Sequence, residues 1–359
     1  MKFSLYLGKY QGIKVFIHWT FSLLLLWIII ANTRAGVALE DTGWSLLFIL
    51  TLFFCIILHE FGHALTAKKY GINTKDIILL PIGGLARLEK LPDDPKQELW
   101  VALAGPMVNV VIFFFLILII AFSGFDPESW EELHLDGGSI LIYLATSNMI
   151  LALFNLIPAF PMDGGRVLRA FLSTKMSRVK ATEIAGSIGQ FLAMGFVFLG
   201  LFYNPFLVLI GIFIFLGAQT EMTQIKNSTL LKGFFVKDAL MTNFPILAFD
   251  APIRKAVDKL LEGQATHFVV VRDGDPIGTL SREEIIKGLQ KAGDNVTVEV
   301  VANLQPLKLD YHQSMEEAFK IMATHNKKVA LVYENNHFLG LLDQENISEF
   351  IMVKSAYNN

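Results

Sequence analysis

Trp44-Ser45-Leu46-Leu47-Phe48-Ile49-Leu50-Thr51-Leu52-Phe53-Phe54-Cys55-Ile56-Ile57-Leu58 runs without a charged residue into His59-Glu60-Phe61-Gly62-His63. Followed to Thr66, the run is as long as the ~20 apolar residues that carry a helix across a bilayer. Residues four apart share a helix face, so both imidazoles can reach one metal ion with Glu60 beside them. His-Glu-x-x-His in that setting binds Zn²⁺ through its histidines and uses the glutamate as general base. The competing reading is a chance match on a buried helix. A carboxylate in lipid costs about 2.5 kcal/mol or more, so three ionisable groups ending such a run argue for function. Cys55, the single cysteine, lies on the same face as His59. A lone thiol in an apolar run reads as packing, and one cysteine allows no intrachain disulfide.

Working outward, hydrophobic residues make up 53% of the chain, with 30 Phe, which points to a membrane protein. The net charge of −3 gives no sign of nucleic acid as a partner. Apolar runs at 15–31, 44–66, 99–123, 139–157, 184–202 and 205–220 predict a polytopic α-helical membrane protein with about six transmembrane helices. Lys68, Lys69, Lys75, Arg87, Lys90 and Lys96 follow the second run, and Arg166, Arg169, Lys175, Arg178 and Lys180 follow the fourth. The alternate loops hold Arg34 in one case and the acidic stretch Asp126 to Asp136 in the other. By the positive-inside rule both termini face the cytoplasm. No small-residue cleavage site follows Lys2, Lys9 and Lys14, so the first run reads as a retained span.

The membrane part is expected over 1–225, a linker over 226–236, and a module of soluble composition over 237–359. That module repeats itself at a spacing of about 62 residues. Ala256 to Leu261 matches Ala318 to Ala323 as helix, and Ile277-Gly278-Thr279-Leu280 matches Leu339-Gly340-Leu341-Leu342 as strand. The two α+β copies are expected at about 237–292 and 297–357.

A catalytic zinc usually takes three protein ligands. The candidate third is Asp163, in Asn155-Leu156-Ile157-Pro158-Ala159-Phe160-Pro161-Met162-Asp163-Gly164-Gly165. Pro158 and Pro161 must break the fourth span, and irregular backbone at membrane depth is tolerated only inside protein or beside water. With Trp44 at the outer interface, His59 and His63 lie about 22 and 28 Å inward at 1.5 Å per residue. The fourth span runs the same way, which brings Asp163 to the same side. A helix-stop turn of Pro, Asp and Gly is the plain alternative. Asn155, before the break, and Asn109, on the third span, are candidate donors to an oxyanion. His18 beside Trp19 reads as an interfacial anchor. Asp76 to Leu80 and Leu85 to Leu88 read as two strands around Pro81-Ile82-Gly83-Gly84. Their open edge either takes an extended substrate by strand addition or packs on the bundle.

These residues carry a resemblance. His59-Glu60-x-x-His63, Gly105-Pro106-x-x-Asn109 and Asn155-x-x-Pro158-x-x-Pro161-Met162-Asp163-Gly164-Gly165 resemble the site-2 protease family of intramembrane zinc metalloproteases. The match is to the branch with a C-terminal pair of cystathionine-β-synthase-type (CBS) domains. The resemblance implies His59, His63 and Asp163 as zinc ligands, Glu60 as catalytic base and Asn155 as a substrate-polarising residue. It implies a prokaryotic cell membrane and single-span membrane substrates such as anti-sigma or pro-sigma factors. CBS pairs often hold adenine nucleotides and dimerise. Here Glu284 and Asp343 depart from the usual Gly-x-x-Thr/Ser-x-x-Asp pattern in Gly278 to Glu284 and Gly340 to Asn346. The alternative class is a CBS-regulated transporter or channel, which would show paired broken helices in two halves. The sequence has one such break.

Overall fold

The computed structural model describes residues 4–81, 83–90, 92–122, 139–263, 266–293 and 296–357. The acidic stretch Asp126 to Asp136 lies outside them. The chain divides into two units, residues 1–225 and 226–359.

Unit one opens with two strands, β1 (Ser4–Tyr10) and β2 (Ile13–His18), joined at Gln11-Gly12. Both turn residues have positive φ (51° and 90°), the backbone that a two-residue hairpin with native twist requires. The expected first span therefore starts late: residues 15–18 belong to β2, and helix α1 covers Thr20–Arg34. β3 (Thr74–Leu80) and β4 (Gly83–Leu88) complete a sheet of order β1-β2-β3-β4, with β2 and β3 parallel and the other pairs antiparallel.

Helix α2 (Leu39–Lys69) carries the His-Glu-x-x-His segment. Its Glu40 and Asp41 at the start and Lys68 and Lys69 at the end complement the helix dipole. α3 (Pro95–Phe122), α6 (Arg178–Phe202) and α7 (Pro205–Leu231) are, with α2, the four described helices long and apolar enough to cross a membrane. α1 and α4 (Ser139–Asn155) are apolar but have 15 and 17 residues. At 1.5 Å per residue they reach about 22 and 26 Å, short of the ~30 Å hydrocarbon core. Pro158 and Pro161 stop α4, and a turn leads to the ten-residue helix α5 (Asp163–Leu172). The Phe160–Pro161 bond is cis. α7 runs to Leu231, so half of the expected linker is helix.

Unit two contains two copies of one topology. The first has β5 (Ile246–Ala248), α8 (Ile253–Glu262), β6 (His267–Arg272), β7 (Asp275–Ser281) and α9 (Arg282–Ala292). A short helix, α10 (Val298–Val301), precedes the second copy. That copy has β8 (Leu307–Asp310), α11 (Met315–Thr324), β9 (Val329–Glu334), β10 (His337–Asp343) and α12 (Gln344–Tyr357). Helix and strand starts recur at 315 − 253, 329 − 267 and 344 − 282, each 62 residues. In both sheets the central strand is parallel to the first and antiparallel to the third. Leu231, Val236 and Ala239 lie in the core of the second copy, packed with Met315, Ala330 and Leu342. The segment expected as a linker is thus part of a hydrophobic core.

The candidate metal centre and active site

Two elements meet at one point. His59 and His63 come from one face of α2, and Asp163 opens α5 directly after the proline-broken turn. All three are buried. His59 Nε2 lies 3.2 Å from Asp163 Oδ2, His63 Nε2 lies 3.1 Å from the same oxygen, and the two Nε2 atoms are 3.1 Å apart.

The other ring nitrogens show which tautomer each histidine adopts. His59 Nδ1 faces Asn109 Oδ1 at 2.5 Å, and His63 Nδ1 faces the Val101 carbonyl at 2.7 Å. Both partners are acceptors, so both Nδ1 atoms donate, and in the neutral rings each Nε2 then carries a lone pair. Two such nitrogens and a carboxylate oxygen at mutual distances near 3.1 Å repel one another unless a proton or a metal cation sits between them. In a tetrahedral zinc site with bonds of about 2.0–2.1 Å, ligand atoms are ~3.3 Å apart. The donor set therefore fits a zinc ion. The wall opposite is shaped for one: a Cβ on Gly105 of α3 would collide with Nε2 of both histidines.

Around this centre the other sequence candidates separate. Glu60 is half-buried on α2, and its Oε2 accepts from the Ala86 N–H of β4 at 2.9 Å. Asn155, the last residue of α4, is half-buried and makes no side-chain hydrogen bond among the described residues. Asn109 is fully buried and is spent on His59, while its Nδ2 donates to Asn148 at 3.0 Å. Both of its amide atoms are thus engaged, and its place is behind the candidate ligand His59. Ligand orientation of this kind fixes the ring and raises its basicity. Cys55 is buried and outside the convergent set. His18 ends β2 and pairs with Thr20 Oγ1 at 2.7 Å.

Sequence reasoning missed Asn148, the Val101 carbonyl and Ala86, because contacts between elements have no local spacing. It also missed an ion cluster beside the centre. Arg169 of α5, fully buried, binds Glu98 of α3 (2.6 Å) and Glu221 of α7 (2.9 Å), and Arg178 of α6 binds Glu98 at 3.0 Å. Arg169 and Arg178 had entered only as loop charge.

In unit two, the carboxylates that depart from the nucleotide pattern act as local ties. Glu284 accepts from Ser281 N (2.7 Å) and Oγ (2.9 Å), closing a capping box on α9. Asp343 accepts from Asn346 N at 2.7 Å and lies 3.5 Å from His267 of the first copy.

Residues 47–135 and 133–196 match the model of peptidase family M50, and residues 236–291 and 298–353 match that of the CBS domain. The zinc metalloprotease MJ0392 of Methanocaldococcus jannaschii is 33% identical over 350 residues, spanning 97% of this chain and 96% of that one. The chain belongs to the M50, or site-2 protease, family. A second relative, the putative zinc metalloprotease sll0528 of Synechocystis, is 30% identical over 332 residues, 88% of this chain and 86% of that one. The solved site-2 protease from Methanocaldococcus jannaschii shares 39% identity, with a TM-score of 0.47, over 61% of this chain and 95% of that chain. This M50 protein is thus a membrane zinc metalloendopeptidase with two CBS domains, and the transporter alternative falls.

Proposed function

We propose that this metalloprotease hydrolyses a peptide bond in or near a transmembrane segment of another membrane protein. His59, His63 and Asp163 would hold the zinc ion. The observation that carries the reading is the convergence of both Nε2 atoms and the Asp163 carboxylate on one point, with each Nδ1 donating to a partner behind it. A zinc ion bound there lowers the pKa of a water toward neutrality and polarises the scissile carbonyl. Glu60 takes a proton from the attacking water and returns it to the leaving nitrogen. The unengaged Asn155 amide donates to the carbonyl oxygen as negative charge develops. The outer edge of β4, whose Ala86 N–H meets Glu60, takes the substrate in extended form, since a helix hides its carbonyls.

The substrate class is a single-span membrane protein such as an anti-sigma or pro-sigma factor. Cleavage is close to the cytoplasmic face of the cell membrane, with both chain termini on that side, as the Lys and Arg distribution supports. The CBS pair is the regulatory part, taking an adenine nucleotide and supporting a homodimer. With Glu284 and Asp343 in place, the nucleotide is held through its ribose more than its phosphates. No heat on titrating millimolar ATP into the full chain would remove nucleotide from this reading. The protease reading is tested by Glu60→Gln, which should abolish cleavage of a reporter substrate with zinc content unchanged. Undiminished cleavage would sink it.

A further inference from the structure

β4 ends its sheet, so one row of its backbone groups has no strand partner among the described residues. The register identifies that row. Glu89 N donates to Asn73 O on the β3 side, so by alternation Arg87 and Leu85 face β3 while Leu88, Ala86 and Gly84 face outward. The central outward donor, Ala86 N–H, is held by Glu60 Oε2 at 2.9 Å. Gly84 is the second observation. A Cβ there would stand 2.6 Å from Glu60 Cγ, so the side chain of the catalytic glutamate lies flat against the strand only because residue 84 has none. Sheet edge and catalytic side chain are thus one contact surface.

A peptide that extends the sheet needs the outward N–H groups of β4, and the middle one is occupied. We propose that Glu60 and the substrate strand compete for the Ala86 N–H. Glu60 rests on the strand edge, and a substrate carbonyl that pairs with Ala86 displaces its Oε2, so the glutamate is freed only where an extended peptide is seated. This rests on the protease reading and on strand addition to β4. It makes Ala86 a positioning residue that acts through its backbone, and it makes Glu60 a gate on substrate binding as well as a base.

The test uses the full zinc-loaded chain in detergent and an extended octapeptide whose central peptide bond is a ketomethylene group that cannot be cut. One hydrogen bond of competition is worth about threefold to tenfold in affinity. Glu60→Ala should therefore bind this peptide about threefold to tenfold more tightly than the unaltered chain. Glu60→Gln keeps an acceptor for Ala86 and should bind it as the unaltered chain does, which separates competition from simple loss of charge. Replacing Ala86 by lactic acid exchanges only its N–H for oxygen and removes the bond from Glu60 and from substrate alike; it should bind about threefold to tenfold less tightly than Glu60→Ala and make Glu60→Ala without further effect. Equal affinity of the unaltered chain and Glu60→Ala, or equal tightening in Ala and Gln, overturns the gate and leaves the protease reading standing. Binding to none of the forms overturns strand addition together with it, while cleavage lost in Glu60→Gln is judged separately.

Discussion

Asn109 and the Val101 carbonyl serve the two histidines alike: each takes an Nδ1 proton and turns Nε2 toward the metal position. A backbone carbonyl cannot be removed by substitution, but Asn109 can. Asn109→Leu is expected to weaken zinc binding about 10–100-fold, measured by competition with a chelator. Unchanged affinity would show that His59 needs no such partner. Asn155→Ala should behave oppositely, keeping its zinc and losing about 10²–10³ in kcat on a reporter substrate. If zinc is lost instead, Asn155 supports the site and does not polarise substrate. The convergence of His59, His63 and Asp163 was legible because helical spacing and a proline break are written along the chain. Asn109 was visible only as a polar residue on an apolar helix. Its orientation depends on how α3 meets α2, and no spacing within α3 encodes that.

At the level of elements, α2, α3, α6 and α7 were legible because long apolar runs allow few other structures. β2 was not, although Ile13 and Val15 are buried and Lys14 between them is exposed. Its alternation lasts a few residues before Phe16-Ile17 merges with the apolar start of α1, and short apolar runs read equally well as strand or helix. The ion cluster joining α3, α5, α6 and α7 belongs to this scale too. Arg169 is fully buried between Glu98 and Glu221 and stacks on Phe160, 4.9 Å from the ring centre. Removing one partner of a buried pair strands the others, at a cost of about 3–5 kcal/mol. Arg169→Ala should therefore lower the thermal unfolding midpoint of the detergent-solubilised protein markedly. Replacing Arg169, Glu98, Glu221 and Arg178 together by apolar residues should recover most of that loss. A single substitution without effect on the midpoint would mean the cluster does not hold α5 in place.

For the molecule as a whole, the repeat at 62 residues announced unit two, but its true beginning lay hidden. Leu231 and Val236 sit outside both repeats in sequence and inside the core of the second in space. A fragment of residues 226–359 should therefore fold cooperatively, whereas one beginning at 242 should be less stable by several kcal/mol, since each buried aliphatic side chain contributes about 1.5–3 kcal/mol. The same fragment tests the link between the copies. Asp343 of the second copy lies beside His267 of the first and caps α12. Burial works to raise its carboxyl, but hydrogen bonds from His267 and from the Asn346 and Glu345 backbone, with the His267 charge, outweigh it and hold it below the usual carboxylate range. A carboxyl whose folded pKa is depressed adds stability above its unfolded value, about 3.9, and loses it as pH falls through the folded value. Urea midpoints of the fragment should accordingly fall as pH drops below about 4. Asn also caps helices well, so Asp343→Asn removes the charge while keeping the cap. It should lower the unfolding free energy at pH 7 by about 1 kcal/mol and flatten the acid limb. An acid limb as steep as that of the unaltered fragment would place the titrating group elsewhere in the module.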